Sequence, residues 1–180
     1  MFFNKGFKHT KLYFNMKMKD SGEILENYEF IIVDDSRDKI DNIRKELTSL
    51  EVLPRIVTGD DDYMARTFRI VKEAYKEDKI PFLFLDEYLD IHFSEYGSSI
   101  AETLIEFFGE KGGVIFPTSE SLNHQLWKID FLVKDSKDWY IERDSHRVKG
   151  ENLSSNINEI CKEYFFKKDK EENNSEIKNG

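Results

Sequence analysis

Residues 80–86 read Ile-Pro-Phe-Leu-Phe-Leu-Asp, and this stretch decides the fold. Its first six residues are all apolar, and the run stops at an acid, Asp86. A strand at the centre of a parallel sheet is covered by helices on both faces, so it reads as a continuous apolar run without polar alternation. The stretch therefore predicts a buried central strand that ends at Asp86.

Shorter apolar runs lie on both sides of this strand. They predict four more strands, at residues 29–33, 55–58, 114–116 and 130–133. Segments with apolar residues at helical spacing alternate with them, at residues 36–50, 63–75, 100–108, 121–128 and 153–164. Five strand-helix repeats predict an α/β fold in which a five-stranded parallel sheet carries helices on both faces.

The composition predicts one domain with polar ends. A chain of 180 residues with 39% apolar content buries one good core. Residues 1–28 form a basic, aromatic N-terminal extension, residues 29–166 the domain, and residues 167–180 a disordered polar tail. Residues 135–150 are predicted as an irregular loop that carries Trp139 and Tyr140.

Charge and cysteine content exclude several classes of function. A net charge of -9 argues against nucleic-acid binding, because duplex affinity depends on basic residues that neutralise phosphates. No apolar run approaches the about 20 residues that a spanning helix needs, so we expect no membrane association. The single cysteine, Cys161, is expected to be a buried thiol in a cytoplasmic protein. His92, His124 and His146 fall in different segments without the spacing of metal ligands.

Chemically capable side chains follow four of the five predicted strands. Parallel strands present their carboxyl ends at one edge of the sheet, where ligands bind in open α/β folds. The residues brought to that edge are Asp34, Asp35, Asp86, Thr118 and Lys134. Three carboxylates repel one another unless a hard cation such as Mg²⁺ compensates them. A carboxylate can also attack phosphorus and form an acyl phosphate.

Four segments carry a resemblance to a known family. They are Val33-Asp34-Asp35, Leu85-Asp86-Glu-Tyr-Leu89 with Gly97 following, Phe116-Pro-Thr118-Ser119, and Asp130-Phe-Leu-Val-Lys134. In this order they resemble the signature segments of response-regulator receiver domains of two-component signalling, over residues 29–166. The resemblance implies a flavodoxin-like sheet with strand order 2-1-3-4-5.

The resemblance also implies roles for six residues. Asp34, Asp35 and Asp86 would hold Mg²⁺, and Asp86 would accept a phosphoryl group from a histidine kinase or phosphotransfer protein. Thr118 and Lys134 would contact the phosphoryl oxygens, and Phe131 would be the aromatic switch residue. The output would be contact with an unknown downstream protein, with no enzymatic activity beyond self-phosphorylation and dephosphorylation.

The chain departs from the receiver pattern after Lys134. Asp135 stands where the family usually has a proline, and only 16 positions separate Thr118 from Lys134, which shortens the fourth helix. A pseudo-receiver, which keeps the fold as an interaction module and never carries phosphate, is therefore the alternative reading.

Other classes of function have weaker support. An aspartate-nucleophile phosphatase of the haloacid dehalogenase type needs a second acid where this chain has Tyr88. Residues 82–87 also fit a Walker B strand, but no phosphate-binding loop accompanies it. Taken alone, Asp34 and Asp35 are typical of a helix cap, and Ser119 is able to replace Thr118 as the site hydroxyl.

Overall fold

The computed structural model describes residues 21–59, 62–90, 95–119, 138–144, 146–147 and 152–178. Seven strands lie in these ranges: β1 (Tyr28–Val33), β2 (Arg55–Val57), β3 (Ile80–Leu85), β4 (Tyr88–Asp90), β5 (Glu95–Tyr96), β6 (Gly113–Pro117) and β7 (Trp139–Ile141). The helices are α1 (Ser21–Leu25), α2 (Arg37–Ser49), α3 (Tyr63–Lys76), α4 (Gly97–Phe108) and α5 (Leu153–Lys178).

Five of the strands form one parallel sheet. Its order is β2-β1-β3-β6-β7, and every pairing in it is parallel. The strand predicted from residues 80–86 is β3, which pairs with β1 along its whole length and with β6 on its other side. The predicted α/β class and parallel sheet are therefore confirmed.

The sheet buries both of its faces, and side chains alternate between them. Ile31, Val33, Leu83 and Leu85 belong to the core under α3 and α4. The intervening residues, with Phe30 and three further phenylalanines of β3 and β6, belong to the core under α1, α2 and α5. Cys161 is fully buried in this second core, as predicted, and burial raises the pKa of its thiol.

The last strand of the sheet differs from the prediction. The edge strand is Trp139–Ile141, which pairs with β6 inside the segment predicted as an irregular loop. The predicted strand 130–133 and helix 121–128 lie outside the described residues. A strand of three residues between polar neighbours carries too few apolar positions to stand out in sequence.

A two-stranded antiparallel hairpin, formed by β4 and β5, was also not predicted. Because it separates β3 from β6 along the chain, the strand order is 2-1-3-6-7 in chain numbering, and the expected 2-1-3-4-5 is not observed. Tyr88 and Tyr96 face each other across the hairpin, with ring centroids 6.3 Å apart. Both tyrosines are exposed, and strands of two or three residues are too short for an alternating pattern to identify them in sequence.

Both ends of the described chain are helical, on either side of the predicted domain boundaries at residues 29 and 166. Ile24 and Leu25 of α1 are buried in the core. Helix α5 continues to Lys178, through much of the segment predicted as a disordered tail. The lysines and glutamates of that segment are good helix formers, and they follow a helix already anchored by Ile157 and Ile160.

No helix among the described residues has both the length and the apolar content required to cross a membrane.

Candidate functional site

The candidate site lies at the carboxyl edge of the sheet, where hydrogen bonds continue past the strand ends. The backbone N–H of Asp86 donates to the carbonyl of Val33 at 3.0 Å, and that of Thr118 donates to Leu85 at 3.0 Å. The N–H of Asp34 donates to Val57 at 3.3 Å. These bonds fix the first residue after each of three neighbouring strands, so their side chains share one edge.

Asp34, Asp35 and Asp86 meet at this edge. Each offers a carboxylate oxygen, and these oxygens lie within 4.8 Å of one another. Asp34 and Asp86 are buried, at 0% and 3% exposure, while Asp35 is exposed. Carboxylate oxygens that converge with one open side are the donor set that a hard divalent cation prefers, so the cluster is able to hold a metal ion.

The electrostatics of Asp34 reflect first its burial and then the charge of its acidic neighbours. Burial, together with the negative charge of Asp86, raises the pKa of Asp34 to about 6. The backbone N–H of Ser36, which donates to Asp34 Oδ1 at 2.8 Å, acts in the opposite direction. One oxygen of Asp34 therefore accepts a hydrogen bond in the turn before α2. The carboxylate as a whole lies in the cluster, where its negative charge is unfavourable.

Lys39 supplies a positive charge to the cluster. Its Nζ lies 2.9 Å from Asp86 Oδ1, in an ion pair with the buried carboxylate. Partial burial acts to lower the pKa of Lys39, but the hydrogen bond and charge of Asp86 raise it. The contact arises because Lys39 is in the first turn of α2 and helical side chains point back toward the amino end, which here faces the strand ends.

Two hydroxyl groups from the end of β6 complete the surroundings of the acids. Ser119 Oγ donates to Asp86 Oδ1 at 2.7 Å and accepts a hydrogen bond from the Glu87 N–H at 2.7 Å. Thr118 Oγ1 donates weakly to Asp34 Oδ2, at 3.4 Å. The residue predicted as the site hydroxyl, Thr118, is thus present at the site, but Ser119 is the one in contact with Asp86.

Gly97 permits the close approach of α4 to the site. A Cβ at this position would lie 2.0 Å from the carbonyl oxygen of Asp86. No side chain fits that gap, so a glycine is required where α4 begins against the loop after β3. This gives a structural reason for the glycine that the resemblance places after Asp86.

A further buried acid, outside this cluster, follows the edge strand β7. Glu142 is 2% exposed and accepts hydrogen bonds from Tyr140 Oη at 3.1 Å and from the Asp144 N–H at 2.8 Å. Arg147 lies 3.3 Å from it and also pairs with Glu159 and Glu163 of α5. This network holds the chain after β7 against α5. The carboxylate of Glu142 is already paired with Arg147.

The structure brings together four of the six residues predicted from the sequence: Asp34, Asp35, Asp86 and Thr118. Lys134 and Phe131 lie outside the described residues. Sequence reasoning missed Lys39, because its contact with Asp86 depends on the direction of a side chain from α2 toward a residue that is distant in sequence. It also missed the buried Glu87, because a single acid after Asp86 carries no pattern.

Comparison with known proteins does not identify a family for this chain. No protein-family model matches the chain, and no curated protein and no solved structure matches it. Any function assigned to this chain therefore rests on the geometry of the acid cluster and on the resemblance in its four segments.

Proposed function

We propose that the chain is a signalling receiver that accepts a phosphoryl group on Asp86 and acts through protein contacts. One observation carries the proposal: Asp86 directly follows the central strand, and its carboxylate is surrounded by Asp34, Asp35, Lys39 and Ser119. The site joins a nucleophilic carboxylate to cation ligands, a fixed ammonium and a hydroxyl donor. Phosphoryl transfer requires mainly positioning and charge compensation, which these groups supply.

In the proposed reaction, a carboxylate oxygen of Asp86 attacks the phosphorus of a phosphohistidine on a partner protein. The new bond is an oxygen–phosphorus bond, and the phosphorus–nitrogen bond breaks as the imidazole leaves with the electron pair. A bound Mg²⁺ would supply positive charge to offset the charge on the phosphoryl oxygens. Asp34 and Asp35 are the residues that would hold this cation together with Asp86.

The remaining side chains have distinct proposed roles. Ser119 orients Asp86 through its 2.7 Å hydrogen bond, and Lys39 balances the charge of the carboxylate. Thr118, beside Asp34, would contact the phosphoryl oxygens. By the resemblance, Lys134 would pair with the phosphoryl group and Phe131 would be the switch residue.

The proposed partners follow from the chemistry of the site. The phosphoryl donor would be a histidine kinase or a phosphotransfer protein, and the output would be a contact with a downstream protein. We propose a cytoplasmic setting without nucleic-acid binding, in keeping with a net charge of -9.

A small-molecule donor tests the proposal. We expect incubation with Mg²⁺ and acetyl phosphate to add the mass of one phosphoryl group to the wild-type chain, as measured by intact mass spectrometry. Asp86→Asn should remain unmodified, and Asp41→Asn, an exposed acid on α2, should behave as the wild type. A wild-type chain without the adduct, or an adduct that persists in Asp86→Asn, would refute the proposal.

One observation favours a pseudo-receiver as the second candidate. Lys39 and Ser119 already contact Asp86 Oδ1 at 2.9 and 2.7 Å, so the carboxylate is paired without a phosphoryl group. A module of this kind would keep the fold and bind partners without being modified. The same incubation distinguishes the two candidates, because only the receiver acquires the adduct.

A further inference from the structure

Glu87 is a buried carboxylate next to the proposed acceptor, and the reaction described above does not use it. Its residue exposure is 3%. It lies in the short link between β3 and the β4–β5 hairpin, with Asp86 immediately before it. A buried carboxylate is costly unless hydrogen bonds compensate its charge, so its partners indicate what it does.

The partners of the Glu87 carboxylate belong to the first turn of α4. Ser98 donates from its backbone N–H to Glu87 Oε2 at 2.8 Å and from its hydroxyl to Oε1 at 2.9 Å. Helix α4 has no acid in its first turn, and its N-cap residue, Tyr96, makes no side-chain cap hydrogen bond. Glu87 therefore caps α4 from outside the helix and complements its dipole.

The backbone of Glu87 connects the same carboxylate to Asp86. Its N–H donates to Ser119 Oγ, and that hydroxyl donates to Asp86 Oδ1. Its carbonyl accepts from the N–H of Gly97 at 3.0 Å, at the start of α4. An unbroken series of hydrogen bonds thus runs from the acid cluster through Ser119 and Glu87 to the amino end of α4.

We propose that Glu87 is a positioning residue that couples occupation of the acid site to the order of the amino end of α4. The proposal rests on the cation site of the proposed function and names the element that senses it. Coupling between two sites is reciprocal in binding free energy. Binding of a cation at Asp86 should therefore increase the order of the first turn of α4. Conversely, a change that reduces the order of that turn should lower the affinity for the cation.

Ser98→Ala tests the coupling without touching an acid of the site. It removes one of the two donors to Glu87 and leaves the charge of Glu87 in place. We expect hydrogen exchange of the α4 first-turn amides to accelerate and the Mg²⁺ affinity, measured by calorimetry, to fall by about fivefold or more. In the wild type, Mg²⁺ should slow exchange of the same amides by a similar factor.

The sign of the affinity change separates coupling from simple electrostatics. If Glu87 acted on the cation only through its charge, Ser98→Ala would leave the affinity unchanged or increase it, because one compensating donor is lost. Glu106→Gln, an exposed acid near the far end of α4, is the matched control and should alter neither quantity. Unchanged or tighter Mg²⁺ binding in a folded Ser98→Ala chain would overturn the proposal.

Ser119→Ala breaks the series at its other end and serves as the second variant. The cap on α4 remains, so its amides should be protected as in the wild type, but they should no longer respond to Mg²⁺. A response in Ser119→Ala equal to that of the wild type would contradict the proposal, as would wild-type exchange that is independent of Mg²⁺.

The coupling and the receiver function fail separately. A wild-type chain that forms the phosphoryl adduct but shows no Mg²⁺ effect on the exchange of the α4 amides refutes the coupling alone. A chain that shows this effect but forms no adduct refutes the receiver function alone.

Discussion

Lys39 is the residue whose charge most directly balances the acid site. Its ammonium lies 2.9 Å from a carboxylate whose side chain is 4% exposed, whereas the lysine side chain itself is 39% exposed. Removing one partner of a buried pair leaves the other charge uncompensated, and this costs more than the pair itself contributes. The stability lost on removing Lys39 is expected to be smaller than for a fully buried pair, because the lysine is partly solvated.

We predict that Lys39→Met lowers the free energy of unfolding by about 1–2 kcal/mol in EDTA. Added Mg²⁺ should recover more stability in this variant than in the wild type, because the cation replaces the lost charge at Asp86. Denaturant titration with and without Mg²⁺ measures both effects. Lys45→Met, an exposed lysine on the same helix, is the control, and equal losses in the two variants would contradict the role of Lys39.

Asp34 is expected to make the free energy of unfolding depend on pH. Because its pKa is raised from 3.8 to about 6, the folded state binds a proton more readily than the unfolded chain. The contribution of Asp34 is therefore fully present below pH 4 and is lost as the pH rises through about 6.

We predict that Asp34→Asn is more stable than the wild type at pH 7 without metal, by about 1–2 kcal/mol. Asparagine retains the oxygen that accepts from the Ser36 N–H and carries no charge. The difference between the two proteins should shrink steadily toward pH 4, as followed by denaturant unfolding at several pH values. A difference that does not change with pH would show that the negative charge of Asp34 is not unfavourable in the cluster.

At the scale of elements, the packing of α4 against the loop after β3 gives a paired prediction. Gly97→Ala places a Cβ 2.0 Å from the Asp86 carbonyl oxygen, so α4 or the loop must move. We expect a loss of about 2 kcal/mol or more in the free energy of unfolding. Gly22→Ala in α1 meets nothing within 4 Å and should be neutral or slightly stabilising, since alanine favours a helix. Thermal unfolding of both variants makes the comparison, and similar melting temperatures would contradict the close approach.

The sequence predicted the central elements of the fold because their signals are local. The continuous apolar run of β3 and the helical spacing of the segments that became α2, α3 and α4 each identify an element. The strand β7 and the β4–β5 hairpin were missed. Each of their strands has two or three residues, and their assignment depends on neighbours that are distant in sequence.

The candidate site also contains some residues that the sequence predicts and others that depend on tertiary packing. Asp34, Asp35, Asp86 and Thr118 were predictable, because residues that follow parallel strands meet at one edge whatever the details of packing. Ser119 was named as an alternative to Thr118, but its contact with Asp86, like the contacts of Lys39 and Glu87, depends on side-chain directions and on how tightly α4 approaches the loop after β3. Those distances arise from tertiary packing, which no periodicity in the sequence records.

At the scale of the whole molecule, the fold and the acid site are connected through the middle of the sheet. The strands β1, β3 and β6 are buried on both faces, which fixes the positions of the residues that follow them. Helix α4 is held to this edge through Glu87 and Gly97. The parts of the molecule that respond to chemistry at Asp86 are therefore expected to lie at the carboxyl edge, and not in the cores.

Locating the phosphoryl group tests the central claim most directly. The chain is treated with Mg²⁺ and acetyl phosphate, the acyl phosphate is reduced with borohydride, and the peptide that spans residues 80–111 is fragmented by mass spectrometry. We predict that residue 86 is converted to homoserine, and that Asp90 in the same peptide is unchanged. Modification at Asp90, or no modification in this peptide, would contradict the assignment of Asp86 as the acceptor.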